Sequence, residues 1–210
     1  MANLPLLNFN YKIAVICEGF EDTAYFKRLL KLNVWSERYS FHPINARSAT
    51  NIPATFQDTY QNDKYDLILI FCDTDKEPYR EYSRIKREIN AFFNKRKASE
   101  KLIIFANPCT MQIILSHFGD VSLTKQGKRT NAEIIEKWTG VKNYDAHEDQ
   151  INEICNKIYY RSYSEMKRRV DAINLPDTTP CSTNFIIFLD LFEKDDTKWI
   201  EEINKYLQGN

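Results

Sequence analysis

Glycine is scarce in this chain, with five in 210 residues, at positions 19, 119, 127, 140 and 209, against an average usage of about 7%. Loops that cradle phosphates are built from glycine, and neither G-x-x-x-x-G-K-S/T nor G-x-G-x-x-G can be written with these positions. The sequence therefore excludes a P-loop and a dinucleotide-binding fingerprint. Gly19 is the only glycine in the first 118 residues, so its position needs an explanation.

Long apolar runs and a disulfide or zinc pattern are also missing. The longest apolar run, Leu67 to Cys72, is far shorter than the roughly 18 to 20 residues that span a bilayer, and the first residues lack a signal-peptide pattern. The five cysteines form an odd set with no CxxC pair, which argues against a disulfide framework and a structural zinc. We expect a soluble, unexported protein of the reducing cytoplasm, with no membrane partner.

The net charge is zero because 29 Lys and Arg balance 29 Asp and Glu, but the charges are unevenly spread. Residues 80–101 carry a net charge of +5 and residues 190–202 a net charge of −4. Shorter basic clusters also occur, and their candidates for contact with a nucleic-acid backbone are Lys128, Arg129, Lys167, Arg168 and Arg169. Solvated helix faces are the alternative explanation of these runs, so zero net charge does not exclude a polyanionic substrate.

Three short apolar runs, at 13–17, 67–72 and 102–106, are each followed by an apolar pattern at helical spacing. Buried strands that alternate with amphipathic helices are typical of a parallel sheet covered on both faces. A weaker strand is predicted at 41–45, where Pro43 restricts it to a sheet edge or a first position. The fold class predicted for residues 1–118 is therefore α/β.

Residues 119–210 have a different character, with predicted helices near 131–139, 150–160, 163–173 and 198–207. The run at 185–189 fits either a buried strand or a helix, and Thr183 or Ser182 as an N-cap favours a helix. We expect a mainly helical C-terminal part that packs on the α/β core within one domain.

Polar side chains follow each predicted strand of the core, and in open α/β sheets ligands bind at the carboxyl ends of the strands. Glu18 follows the first run, Asp73 and Asp75 follow the second, and Asn107 follows the third. Carboxylates cluster only when a cation offsets their repulsion, and hard oxygen ligands select Mg²⁺ or Mn²⁺. Glu18, Asp73 and Asp75 are thus a candidate metal site. The alternative is that these acidic residues form turns and helix caps.

The residues around this predicted site support it to different degrees. Gly19 has no Cβ, so its backbone would allow a bound phosphate to approach closely. His117 is more typical of a satisfied core histidine than of a catalyst. A thiol at a helix N-terminus can be acidic, which makes Cys109 a weak candidate nucleophile, but the sequence places no base beside it.

Two motifs resemble those of Toprim domains. The segment IAVICEGFEDTAYFKRLL is similar to their first motif, with Glu18, Gly19 and Asp22 in the form E-G-x-x-D, and LILIFCDTD is similar to their D-x-D motif. More closely, CEGFEDTAYF together with IIFANPCTMQIILSHF resembles the RloB-like proteins, a Toprim-related family of bacterial defence loci. PCSTNFIIFLDLF is a weaker match to the C-terminal segment of that family.

The resemblance implies a Toprim-like fold and a Mg²⁺-dependent nuclease of an anti-phage defence system, with a partner ATPase from the same locus. It makes Glu18 a general acid or base and metal ligand, and it makes Asp73 and Asp75 the other ligands. The residues that would support the site are Asp22, Asn107, Gln112 and His117. The substrate, DNA or RNA including tRNA, and a homo-oligomeric state stay open.

One departure from the family pattern matters. RloB-like proteins usually have a Glu two residues after the Asn-Pro-Cys triplet, where this chain has Met111. If that Glu holds a second metal, two-metal chemistry is in doubt. The competing hypothesis is therefore a catalytically impaired Toprim-fold module that binds nucleic acid or regulates a partner. A primase-like nucleotidyl transferase is disfavoured because no template-handling domain is recognisable.

Overall fold

The centre of the molecule is a parallel β-sheet. The computed structural model of the chain describes residues 10–74, 78–124 and 127–209. Within these ranges the sheet has the order β2-β1-β3-β4 and all its strands are parallel. The strands are β1 (Tyr11–Cys17), β2 (Tyr39–Asn45), β3 (Leu67–Asp73) and β4 (Ile103–Ala106). The α/β class expected from the sequence is confirmed.

Helices connect the strands and form most of the C-terminal part. The first five are α1 (Phe20–Leu32), α2 (Ile52–Asn62), α3 (Arg80–Phe92), α4 (Ala98–Leu102) and α5 (Thr110–Leu115). The five that follow are α6 (Lys128–Thr139), α7 (Glu148–Asn156), α8 (Tyr160–Ala172), α9 (Phe185–Phe192) and α10 (Lys198–Gln208).

Strand position in the sheet follows the apolar pattern of the sequence. From Ile13 to Cys17 in β1 and from Leu67 to Cys72 in β3 every residue is buried, because both strands are central and helices cover both faces. The strand that contains Pro43, β2, lies at an edge as predicted. Proline has no backbone N–H to donate, so it fits a strand that pairs on one side only.

Right-handed crossovers place the first two helices on opposite faces of the sheet. The chain moves one way from β1 to β2 and the other way from β2 to β3, so α1 and α2 cover different faces. Phe26 of α1 packs against Phe71 of β3 and Phe192 of α9, with ring centroids 6.3 and 6.5 Å apart. Helix α9 therefore covers the same face as α1, and the C-terminal part packs directly on the core.

The second edge of the sheet is closed by side chains from the C-terminal part. The Asn184 side chain accepts a hydrogen bond from the Phe105 N–H at 2.8 Å and donates to the Ile103 carbonyl at 2.8 Å. Thr183 adds an antiparallel bridge to Ala106. These contacts cover the exposed edge of β4, which would otherwise present unpaired backbone groups.

Several boundaries differ from the sequence-based predictions. The apolar pattern at helical spacing after the second run extends from Pro78 to about Arg96, but α3 covers only Arg80–Phe92, because Asn94 adopts a left-handed conformation with φ of 51° that ends it. The third apolar strand begins at Ile103 rather than Leu102, which is the last residue of α4. The run at 185–189 is helical as predicted, but the N-cap position is Asn184, not Ser182 or Thr183.

In the described ranges, no helix is both long enough and apolar enough to cross a membrane.

Candidate functional site

A cleft of about 460 Å³ lies at the carboxyl ends of β1 and β3. The chain leaves β1 toward β2 and leaves β2 toward β3, so the direction of the connections reverses between β1 and β3. Open α/β sheets bind their ligands at such a reversal. One wall of the cleft, here called the acidic wall, contains Glu18, Glu21, Asp22 and Asp73, and the opposite wall comes from residues 123–151.

Strand pairing fixes the first two carboxylates of the acidic wall relative to each other. Glu18 follows β1 directly, and its N–H donates to the Phe71 carbonyl of β3 at 3.1 Å. Its side-chain Oε2 accepts a hydrogen bond from the Asp73 N–H at 3.1 Å. The Glu18 carboxylate is thereby held against the end of β3, as predicted from the strand ends.

Thr110, the first residue of α5, joins two more carboxylates. Its N–H and its hydroxyl lie 2.8 and 3.1 Å from Oδ1 of Asp73, and the same hydroxyl is hydrogen-bonded to Oδ1 of Asp22. A threonine hydroxyl has one hydrogen and can donate it to only one of the two oxygens at a time. Asp22 and Asp73 are therefore held close together by a single hydroxyl that they share.

This crowding changes the acidity of Asp73. Burial raises the pKa of its carboxyl well above the ordinary value, and the nearby charges of Asp22, Glu18 and Glu21 raise it further, whereas the Thr110 N–H lowers it. Repulsion of this kind is relieved by a proton or by a bound cation.

Gly19 is the N-cap residue of α1 and lines the cleft between two carboxylates. Its N–H donates to Oδ2 of Asp22 at 2.8 Å, and its carbonyl accepts a hydrogen bond from the Thr23 hydroxyl at 2.7 Å. Its φ is −144°, which any residue can adopt, and an added Cβ would come no closer than 3.9 Å to Asp22. The backbone therefore does not require glycine here.

Glu21 is a member of the acidic wall that the sequence analysis did not select. It accepts a hydrogen bond from the Tyr144 hydroxyl at 2.9 Å and another from the Met111 backbone. Burial and the Asp22 charge raise the pKa of Glu21 to about 7, against the lowering effect of the two hydrogen bonds. The feature of the sequence that could have identified Glu21 is its position in the first turn of α1, three residues after Glu18.

The opposite wall is mainly apolar, and we call it the apolar wall. It is formed by Leu123, by Ala132 and Ile135 of α6, by Tyr144 in the following loop and by Ile151 of α7. The sequence predicted the helices but gave no indication that they face the strand ends. Their position depends on packing contacts of α7 with α1 and of α6 with α5.

Three residues expected to support the site instead hold the fold together. Asn107 donates to the carbonyls of residues 177 and 179 at 2.7 and 2.9 Å. Gln112 donates to the Val121 carbonyl at 2.6 Å and accepts from the Leu123 N–H at 2.8 Å, so it braces one edge of the apolar wall. None of these three, Asn107, Gln112 and His117, lines the cleft.

His117 is buried and bonded on both ring nitrogens. Nε2 lies 3.0 Å from the Tyr25 hydroxyl and Nδ1 lies 2.9 Å from the Ser162 hydroxyl. Burial lowers the pKa of His117 to about 3, so the imidazole is neutral at physiological pH. This agrees with the interpretation of His117 as a core histidine.

The basic triplet at 167–169 does not form a shared cationic surface. Lys167 pairs with Asp190 at 2.8 Å and with Glu193 at 2.6 Å, and Arg168 pairs with Glu165 at 3.2 Å. Arg169 binds Asp120 at 3.2 Å and the Ser116 carbonyl at 2.8 Å. Successive helical residues point in different directions, so these side chains serve internal ion pairs, and their expected role in nucleic-acid binding gains no support.

Two further predicted contacts lie near the start of α6. Arg129 is highly exposed and is 3.4 Å from Glu133 on the same helix, a spacing that contributes little to stability. The side chain of Lys128 and the whole of Asp75 lie outside the described residues.

Cysteine chemistry is disfavoured at the cleft. Cys109 lines it, but burial raises the pKa of the thiol well above its ordinary value, and the charges of Asp73 and Glu21 raise it further. The expectation of an acidic thiol at this helix N-terminus was wrong, because burial and then the neighbouring carboxylates outweigh the backbone N–H groups.

The donor set of the acidic wall fits a hard divalent cation. Mg²⁺ typically takes one or two protein carboxylates and completes its shell with water and substrate oxygens. Glu18 and Asp73 supply two such carboxylates on adjacent strands. Among the described residues no group of three or more His, Cys, Asp or Glu side chains is arranged to hold a metal ion, so the fit rests on this pair.

Comparison of the chain with family models, curated proteins and solved structures gives no match. The fold and the site place the chain among α/β proteins, with an acidic cleft at the carboxyl edge of the parallel sheet.

Proposed function

We propose that the cleft is the active site of a Mg²⁺- or Mn²⁺-dependent nuclease that hydrolyses phosphodiester bonds in DNA or RNA. The observation that carries the proposal is the convergence of Glu18 and Asp73 at the reversal between β1 and β3, in a cleft where neighbouring carboxylates repel Asp73 and raise its pKa. A cation offsets this repulsion and attracts a phosphate to the same place. The resemblance to Toprim motifs points to the same residues.

Glu18, Asp73 and two neighbouring residues have distinct roles in this proposal. Glu18 and Asp73 hold the cation, and the Glu18 carboxylate accepts the proton of the attacking water. Thr110 orients Asp73 through the hydrogen bond from its N–H to Oδ1 at 2.8 Å. When bound, the cation supplies a water of lowered pKa and neutralises charge on the scissile phosphate. Gly19 leaves space for that phosphate beside Glu18.

The test is cleavage of labelled DNA and RNA, single-stranded and duplex, by purified protein with Mg²⁺ or Mn²⁺. It includes reactions with the ATPase of the same locus and ATP. We expect Glu18→Gln and Asp73→Asn to lower the rate at least about 100-fold, the scale for removal of a charge-stabilising group. Asp58→Asn is the matched control because Asp58 is exposed on α2, away from the cleft. Absence of metal-dependent cleavage by the wild type, or full activity of both variants, would overturn the proposal.

A second function is favoured by Met111. It lines the cleft and is 2% exposed, in the position where the resembling family has Glu. Under this alternative, the protein is a catalytically impaired module of the same fold that binds nucleic acid or regulates a partner ATPase in phage defence. Calorimetry with Mn²⁺ separates the two. Binding to the wild type that is lost in Asp73→Ala supports the nuclease, and no binding to either supports the module.

A further inference from the structure

The two walls of the cleft differ in a way that bears on substrate class. The acidic wall is suited to a phosphate group that arrives with a cation. The apolar wall contains Leu123, Ile135, Tyr144 and Ile151. Among the described residues that line the cleft there is no Lys, Arg or His.

Size adds a second constraint. A volume of about 460 Å³ lies within the roughly 300 to 1,000 Å³ of sites for small molecules. A base that remains paired and stacked in a duplex cannot enter such a space, and enzymes that act in pockets of this kind take single strands or extrude one nucleotide.

Tyr144 provides the aromatic surface that an unpaired base requires. Its hydroxyl donates to Glu21 at 2.9 Å, which ties the ring of the apolar wall to the acidic wall. The loop that carries it is braced, since Gln150 donates to the Asn143 carbonyl at 2.9 Å and accepts from the Asp145 N–H at 2.9 Å. The ring is thus positioned before any ligand binds.

We propose that the cleft binds one unpaired nucleotide, with its phosphate at the acidic wall and its base against Tyr144 and the apolar wall. The inference rests on the proposed function and sharpens it. The substrate is single-stranded nucleic acid, or a nucleotide that has left a duplex, rather than an intact duplex. Stacking of bases on aromatic side chains tolerates any base, so little sequence preference is expected from this wall.

The first experiment measures binding of the four nucleoside 5′-monophosphates, as ribo- and deoxyribonucleotides, in the presence of Mn²⁺. Tyr144→Ala removes the ring, and we expect it to weaken binding at least about tenfold. Tyr144→Phe keeps the ring and loses only the bond to Glu21, so its affinity should stay within about threefold of the wild type. Equal binding by wild type and Tyr144→Ala overturns the inference.

A second pair of variants fills the cleft without removing a contact. Ala132→Leu adds bulk at the apolar wall. Glu133→Leu introduces the same residue at the next, exposed position of α6. We expect the Ala132 variant to lose nucleotide binding while it retains Mn²⁺ binding, and the Glu133 variant to retain both. Loss of nucleotide binding in both variants, or in neither, counts against the cleft as the binding place.

Cleavage assays separate this inference from the proposed function. Faster cleavage of single strands than of the matching duplex supports both. Metal-dependent cleavage of duplex at the same rate as single strand overturns the nucleotide inference alone. If no substrate is cleaved, the nuclease proposal fails, and nucleotide binding by wild type and Tyr144→Ala still decides whether an unpaired nucleotide is bound.

Discussion

The two walls of the cleft come from different parts of the chain and are stabilised in different ways. The acidic wall consists of strand and helix ends of the α/β core, where hydrogen bonds hold several carboxylates close together against their repulsion. The apolar wall is made by helices after residue 119 and is stabilised by burial. The first wall is therefore expected to cost stability and to carry chemistry, whereas the second is expected to add stability and shape.

The largest effect is expected behind the apolar wall, at Gly119. A Cβ at this position would lie 2.2 Å from the Trp138 ring of α6, so Gly119→Ala must displace that ring. We expect a loss of about 2 to 3 kcal/mol in the free energy of unfolding. Urea denaturation measures it. A loss below about 0.5 kcal/mol would show that the Trp138 ring moves aside at little cost in stability.

Removal of one charge from the acidic wall should instead increase the free energy of unfolding. Asp73→Asn keeps an Oδ1 acceptor for Thr110 and removes the repulsion from Asp22, Glu18 and Glu21. We expect it to stabilise the protein by about 1 to 2 kcal/mol at pH 8 in EDTA, even though it removes a proposed ligand. Asp58→Asn should leave stability unchanged. Destabilisation by Asp73→Asn would mean that the carboxylate is a structural group.

The pH dependence of stability should report on Glu21. Its pKa is about 7 in the folded protein and near 4.5 when unfolded, so the folded state holds a proton that the unfolded state has lost between these values. Stability therefore falls as pH rises from about 4.5 to about 7. In EDTA, Glu21→Gln should reduce this fall by on the order of 1 kcal/mol. The same pH dependence of stability in the wild type and in Glu21→Gln would contradict the raised pKa of Glu21.

The smallest effect on stability is expected at Gly19. Because its φ is not left-handed and an added Cβ meets nothing closer than 3.9 Å, Gly19→Ala should change the free energy of unfolding by less than about 0.5 kcal/mol. Cleavage, by contrast, should slow clearly, since the methyl group occupies space meant for phosphate. Unchanged cleavage would remove Gly19 from the site, and a large loss of stability would assign the glycine to the fold.

The sequence was sufficient for the sheet and for half of the cleft. Apolar runs predicted most of β1 and β3 and all of β4, and the rule that ligands bind at carboxyl strand ends brought Glu18 and Asp73 to one place. It could not place Tyr144 or Ile151, because no local pattern tells which face of the core a distant helix covers. It also selected Asn107 for its position after a strand, and the structure shows that its amide holds a turn at 177–179.

Charge runs alone do not predict a basic surface, for a related reason. They report composition along the chain, and the ion pairs of Lys167 link α8 to Asp190 of the next helix, α9, and to Glu193 just after it. Cys109 illustrates the same limit, since its thiol responds to Asp73 and Glu21 from two other elements.

The central claim is that the acidic wall binds a divalent cation between Glu18 and Asp73. The most direct measurement is the anomalous diffraction signal of crystals soaked in Mn²⁺, compared between the wild type and Asp73→Asn. The account predicts a peak in contact with the carboxylates of Glu18 and Asp73 in the wild type and no peak in the variant. A wild-type crystal without a peak at this wall, or an equal peak in the variant, would contradict it.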